Sequence, residues 1–210
     1  MQAVATPVTL HRALAAEETA RADFYALLGR LFQAAPDASL LQQLAGASPM
    51  PTEGDPGLAK AWQGLVNASS VMDADAALDE YEALFGGVGK SAVSLYAGFY
   101  AGAAAIDHPR VRIRADLAGL GLAPREASPE PEDHFGAIFD AMRVLVAGGL
   151  RRGPATLQEQ RRFFESHLEP ALEGFLAALA RAPQANYYRK VAALGAAFLA
   201  IETESFQLEA

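Results

Sequence analysis

The chain has 210 residues and a mass of 22.2 kDa, with 17 Lys and Arg against 25 Asp and Glu, a net charge of −8 and a pI near 5.0. That balance excludes bulk binding to nucleic acid or to an anionic membrane, which needs a basic face, and it suits a partner that brings positive charge. No cysteine is present, so disulfides, Cys-ligated zinc, Fe–S clusters and cysteine nucleophiles are excluded. With 51% hydrophobic and 20% charged residues, the composition supports a substantial core. Met1–Leu10 lacks the positive segment and apolar run of a secretory signal. Apolar stretches such as Ala192–Ile201 fall short of the about 20 residues that span a bilayer. The expectation is a cytoplasmic protein without stable membrane insertion.

The apolar periodicity is helical almost throughout. Phe24, Leu27, Leu28, Leu31 and Phe32 fall at three-and-four spacing and predict a helix over 14–32 with one buried stripe. Pro36 stops it, and Asp37 caps a short helix through Leu44. Pro49, Pro51 and Pro56 mark 46–57 as a loop, followed by a helix near 58–67 with Trp62, Leu65 and Val66 on its apolar side. Asp73 or Asp75 caps a helix to Phe85 whose inward stripe is Leu78, Tyr81, Leu84 and Phe85, and Gly86, Gly87 and Gly89 end it. Residues 92–105 give no clear pattern. Asp107 and Pro109 open a helix to about Leu120.

Pro124–Pro131 (PREASPEP) is proline-rich and reads as a hinge between an N-terminal helical part, 1–123, and a C-terminal part, 132–210, within one compact unit. Glu130, Glu132 and Asp133 stand where the next helix should begin, since acidic residues complement the positive helix end. That helix carries Phe135, Ile138, Phe139, Met142 and Leu145 and ends at Gly148–Gly149. Thr156 and Glu159 form a capping box, and Pro170 should kink or break the helix that follows. Leu172, Phe175, Leu176 and Leu179 make the next core face, and Pro183 opens a last helix with Tyr188, Val191, Leu194, Phe198 and Ile201. The expectation is an all-α fold, an irregular bundle of about eight to ten helices.

Catalytic signals are sparse. Gly86–Ser91 (GGVGKS) ends like a phosphate-binding loop, but the required first glycine is Leu84, and the segment follows a helix instead of a strand. A weak guanine-nucleotide-binding or hydrolysing protein built on this loop is the alternative function. Asp133-His134 invites a metal reading, yet His11, His108 and His167 form no cluster with it and no His-x-x-x-His or Glu-x-x-His pair occurs. No metal site and no enzyme is expected. The aromatics Tyr81, Phe85, Tyr96, Phe99 and Tyr100 flank the glycine loop, as core residues or as the lining of a groove for an apolar peptide helix.

Three blocks occur in a telling order. Tyr81-Glu82-Ala83-Leu84-Phe85, the glycine turn and Leu95-Tyr96-Ala97-Gly98-Phe99-Tyr100 come first, Glu130-Pro131-Glu132-Asp133-His134 next, and Phe163-Phe164-Glu165-Ser166-His167-Leu168-Glu169-Pro170 last. Together, over about residues 20–205, they resemble the signatures of the TorD/DmsD/NarJ chaperones. Ala171 stands where that family has Trp, and Leu95-Tyr96-Ala97-Gly98 replaces its Pro-aromatic-x-Ser pattern. The resemblance implies an all-helical cytoplasmic chaperone of molybdoenzyme maturation that is not an enzyme and has no cofactor of its own, although weak GTP binding has been proposed for some members. Its partners would be the twin-arginine signal peptide and the body of a molybdopterin-containing oxidoreductase precursor. It would assist cofactor insertion before export, as a monomer or a domain-swapped dimer. On this resemblance Glu130 and Asp133 are the carboxylates for the arginine pair, since Arg pairs bidentately with them. Tyr81, Leu84, Phe85, Tyr96 and Tyr100 line the groove, and His134 orients Asp133 or caps the helix.

Overall fold

Helix α1, Ala16–Gln33, turns Tyr25, Leu28, Leu31 and Phe32 inward, with Glu17 and Glu18 in its first turn and Arg30 in its last, where each complements the helix dipole. The computed structural model describes residues 15–51, 54–86, 91–100, 109–122, 131–149 and 152–208. Three aspartates start the next three helices by accepting a backbone N–H three residues on. Asp37 caps α2 (Ala38–Ala45), Asp55 caps α3 (Pro56–Ser69) and Asp73 caps α4 (Ala74–Phe85). A 3₁₀ turn, Ala97–Phe99, precedes α5 (Pro109–Gly119) and α6 (Phe135–Ala147). The capping box at Thr156 and Glu159 opens α7 (Leu157–Phe163). A π-helical turn, Phe164–Leu168, leads straight into α8 (Glu169–Arg181), and α9 (Tyr187–Leu208) ends the described chain. If α7, the π turn and α8 are taken as one continuous rod, the described residues form eight helices and no strand, the all-α bundle expected from the periodicity.

The core forms where α1 lies against α6 and where α9 packs on α3 and α8. Gly29 and Gly136 allow the first of these approaches, because a Cβ on Gly136 would stand 3.2 Å from the Gly29 carbonyl oxygen. Elements from both sides of the expected hinge thus share a single apolar cluster. Residues 124–130 of the hinge lie outside the described residues.

Four local expectations need correction. Leu78 is 47% exposed and does not join the stripe of α4. The break expected at Pro170 falls just before it: the π turn Phe164–Leu168 separates α7 from α8, and Pro170 stands in the first turn of α8, where its missing N–H costs little. Helix α9 begins at Tyr187 instead of at Pro183. Its first amides, of Asn186, Tyr187 and Tyr188, donate to the Glu80 carboxylate of α4 at 2.8, 3.0 and 2.8 Å. This is a cap supplied from about a hundred residues away. Finally, α9 is long and apolar enough to cross a membrane by length and composition, unlike the shorter runs seen in the sequence. Here it is a core helix that buries Val191, Leu194, Phe198 and the charged Glu202.

Candidate functional site

Two of the sequence blocks meet through the backbone. The Ala97 N–H donates to the Asp133 carbonyl and the Phe135 N–H donates to the Leu95 carbonyl, both at 2.8 Å, forming an antiparallel bridge between Tyr96 and His134. The Tyr96 ring stands edge-on to the His134 imidazole at 5.5 Å. His134 is the N-cap of α6, and its Nδ1 accepts the Gly136 N–H at 3.1 Å. It therefore fixes the helix start immediately after Asp133. Asp133 is buried, at 6% exposure, and no hydrogen bond or ion pair joins its carboxylate to another described residue.

The predicted groove residues divide into two neighbouring groups. Tyr81 and Phe85, at 5.0 Å, sit half-buried beside Tyr188, and the Tyr81 hydroxyl donates to the Phe32 carbonyl at 3.0 Å. Tyr100 packs on Phe135 and Phe175 and donates its hydroxyl to the Ser94 carbonyl at 3.0 Å. Phe32 joins the groups, touching Phe85 at 6.4 Å and Phe175 at 4.9 Å. Tyr96 and Phe99 remain 40% and 75% exposed, so the apolar surface here faces outward. Leu84, expected among the groove-lining residues, is fully buried and exposes no surface. Glu130 and most of the Gly86–Ser91 loop, residues 87–90, lie outside the described residues. Among the described residues no group of acidic or histidine side chains could hold a metal ion.

Glu132 was read from the sequence only as a helix-start residue, but it is the most engaged charge of its block. Its carboxylate receives Arg114 Nε at 2.6 Å, Arg114 NH2 at 3.0 Å and Arg110 Nε at 3.1 Å. The Arg114 guanidinium, with Arg110, outweighs the effect of burial and holds this carboxyl down at about 2. Two arginines four residues apart on α5 were the signal in the sequence that could have found it.

The third block contributes a second tie to α5. His167, on the π turn, places Nε2 2.7 Å from Asp116 Oδ2. Burial pushes its imidazole below the ordinary 6.5, with Asp116 pulling the other way. The unfolded chain takes up a proton near pH 6.5 that the folded chain resists. The contribution of His167 is thus complete above about 6.5 and declines as the pH falls below that value. Urea midpoints of the wild type should fall more steeply on acidification than those of His167→Gln; parallel curves would refute the assignment.

The bridge joins the acidic block to an outward aromatic surface, and among the described residues of this patch no nucleophile is paired with a base. No curated protein matches the chain closely. Residues 52–177, more than half of its length, match the family model described as nitrate reductase delta subunit. The chain therefore belongs to the nitrate reductase delta subunit family, whose members are chaperones of molybdoenzyme maturation.

Proposed function

We propose that the protein is a non-enzymatic cytoplasmic chaperone that binds the twin-arginine signal peptide of a molybdopterin-containing oxidoreductase precursor and assists cofactor insertion before export. One observation supports this reading: the Tyr96–His134 bridge joins the segment of the exposed aromatics Tyr96 and Phe99 to Asp133, whose carboxylate has no partner among the described residues. A twin-arginine signal has a guanidinium pair and an apolar helix-forming stretch, and it needs both kinds of surface. Asp133, with Glu130, serves the arginines. Tyr81, Phe85, Tyr96 and Tyr100 serve the apolar stretch, Leu84 backs them, and His134 holds Asp133 in place. The net charge of −8 steers the basic peptide toward the site.

Asp133→Ala combined with Phe85→Ala should weaken a twin-arginine peptide by at least about tenfold in calorimetry, the loss of one charge-assisted contact and one aromatic contact. The circular dichroism should remain helical. Unchanged affinity in a folded double variant would remove these residues from the site.

A further inference from the structure

The acidic block already holds a pair of arginines, and they belong to this chain. Arg110 and Arg114 of α5 donate three hydrogen bonds to Glu132 at 2.6 to 3.1 Å, occupying both carboxylate oxygens. We propose that Glu132 is a guanidinium-binding site for the client's arginine pair and that Arg110 and Arg114 are its displaceable internal occupants. This inference rests on the signal-peptide reading above and assigns to it a carboxylate and a built-in competitor.

The case depends on how differently the carboxylates of this fold are held. Glu202 is also paired with an arginine, but that pair is sealed, with side chains 2% and 13% exposed. Removing Arg21 from it would strand a buried charge, so it cannot be exchanged for a ligand. The Glu132 partners lie outside, Arg110 46% and Arg114 60% exposed over a carboxylate that is 11% exposed. Exposed pairs of this kind contribute little net stability, because water and salt compete with them. An incoming guanidinium that makes the same fork recovers what is broken. An ordinary glutamate carboxyl ionises well below neutral pH, so Glu132 still offers a negative charge when an arginine leaves it.

Helix α5 is built to let go. Ile113 is its only buried side chain among the described residues. Its other ties among the described residues include Asp116 to His167, the partly buried Leu117 against the core, and, just past its end, the Leu120 carbonyl, which accepts from Arg152. Glu132 also immediately precedes Asp133, whose carboxylate has no described partner. Adjacent arginines of a client would meet adjacent carboxylates of the receptor.

An internal occupant lowers the apparent affinity by the fraction of time that the site is filled. In calorimetry on the full chain, Arg110→Ala with Arg114→Ala should therefore tighten a twin-arginine peptide, by about tenfold for a site nine-tenths occupied. Adding Glu132→Gln to that variant should abolish the gain. A peptide with Lys-Lys in place of Arg-Arg should show no gain, because ammonium groups cannot reproduce the fork. Arg110→Lys with Arg114→Lys keeps the helix and its charge, and it should give a smaller gain in the same direction. On the wild type, the twin-arginine peptide should speed amide hydrogen exchange across residues 109–119. Peptide binding that is unchanged or weaker in both arginine variants, or exchange that is unchanged or slower, would overturn the internal-occupant role and leave the signal-peptide reading standing. No binding of the peptide by any of these proteins would remove both.

Discussion

Arg21→Ala should lower the unfolding free energy by about 3–5 kcal/mol, the cost of stripping the partner from a buried charge. Glu202 is 1% exposed and lies on α9, facing α1. It accepts Arg21 Nε and NH2 at 2.7 and 2.8 Å and the Tyr25 hydroxyl at 2.8 Å. Burial works against the Arg21 charge, but Glu202 and Glu18 together outweigh it and keep the guanidinium above its ordinary value. Burial and Glu202 likewise push the Tyr25 phenol well above its own. The decisive comparison is with Arg21→Met combined with Glu202→Leu, which removes both charges and keeps apolar volume. Such replacements are often neutral or stabilising. Urea unfolding should rank the single variant far below both the double variant and the wild type. A single variant as stable as the wild type would mean that water reaches Glu202.

Phe175→Ala should cost about 3–5 kcal/mol as well, from lost burial and the cavity left behind. Phe175 is fully buried on α8, where its ring stacks on Phe135 at 4.1 Å and meets Phe32 at 4.9 Å and Tyr100 at 5.9 Å. These partners come from α6, α1 and the segment beside the 3₁₀ turn. The ring thus joins the three parts that frame the site. Phe175→Leu, which keeps more of the volume, should lose much less. A Phe175→Ala protein with an unaltered urea midpoint would show that the site is framed without this core.

Helix stripes and local caps were legible because their signals are close in sequence. Asp37, Asp73 and the Thr156–Glu159 box each act within three residues, and the structure uses each as its spacing predicts. What stayed hidden depends on partners far away along the chain. The start of α9 is set by Glu80, not by Pro183, and no local pattern contains that pairing. The π turn before Pro170 is a tertiary adjustment around buried Phe164 and His167. Residues 92–100 lacked periodicity because their order comes from pairing with 133–135 and from the Tyr100–Ser94 hydrogen bonds.

The candidate site was legible to a similar depth. Asp133 and His134 stood out as a motif, and His134 is the helix cap that was one of its two expected roles. Leu84 was inward by its spacing and a groove residue by the first block; the structure keeps the first role, since it is fully buried. Glu132 escaped notice because its meaning lies in Arg110 and Arg114, on a different helix.

The most direct test of the chaperone's role is calorimetric titration of the full chain with a twin-arginine signal peptide and with the same peptide carrying Lys-Lys. A receptor built on carboxylates and outward aromatics should bind the first and lose at least about tenfold for the second, because lysine cannot pair bidentately. Equal affinity for both peptides, or heat from neither with the fold intact, would contradict it.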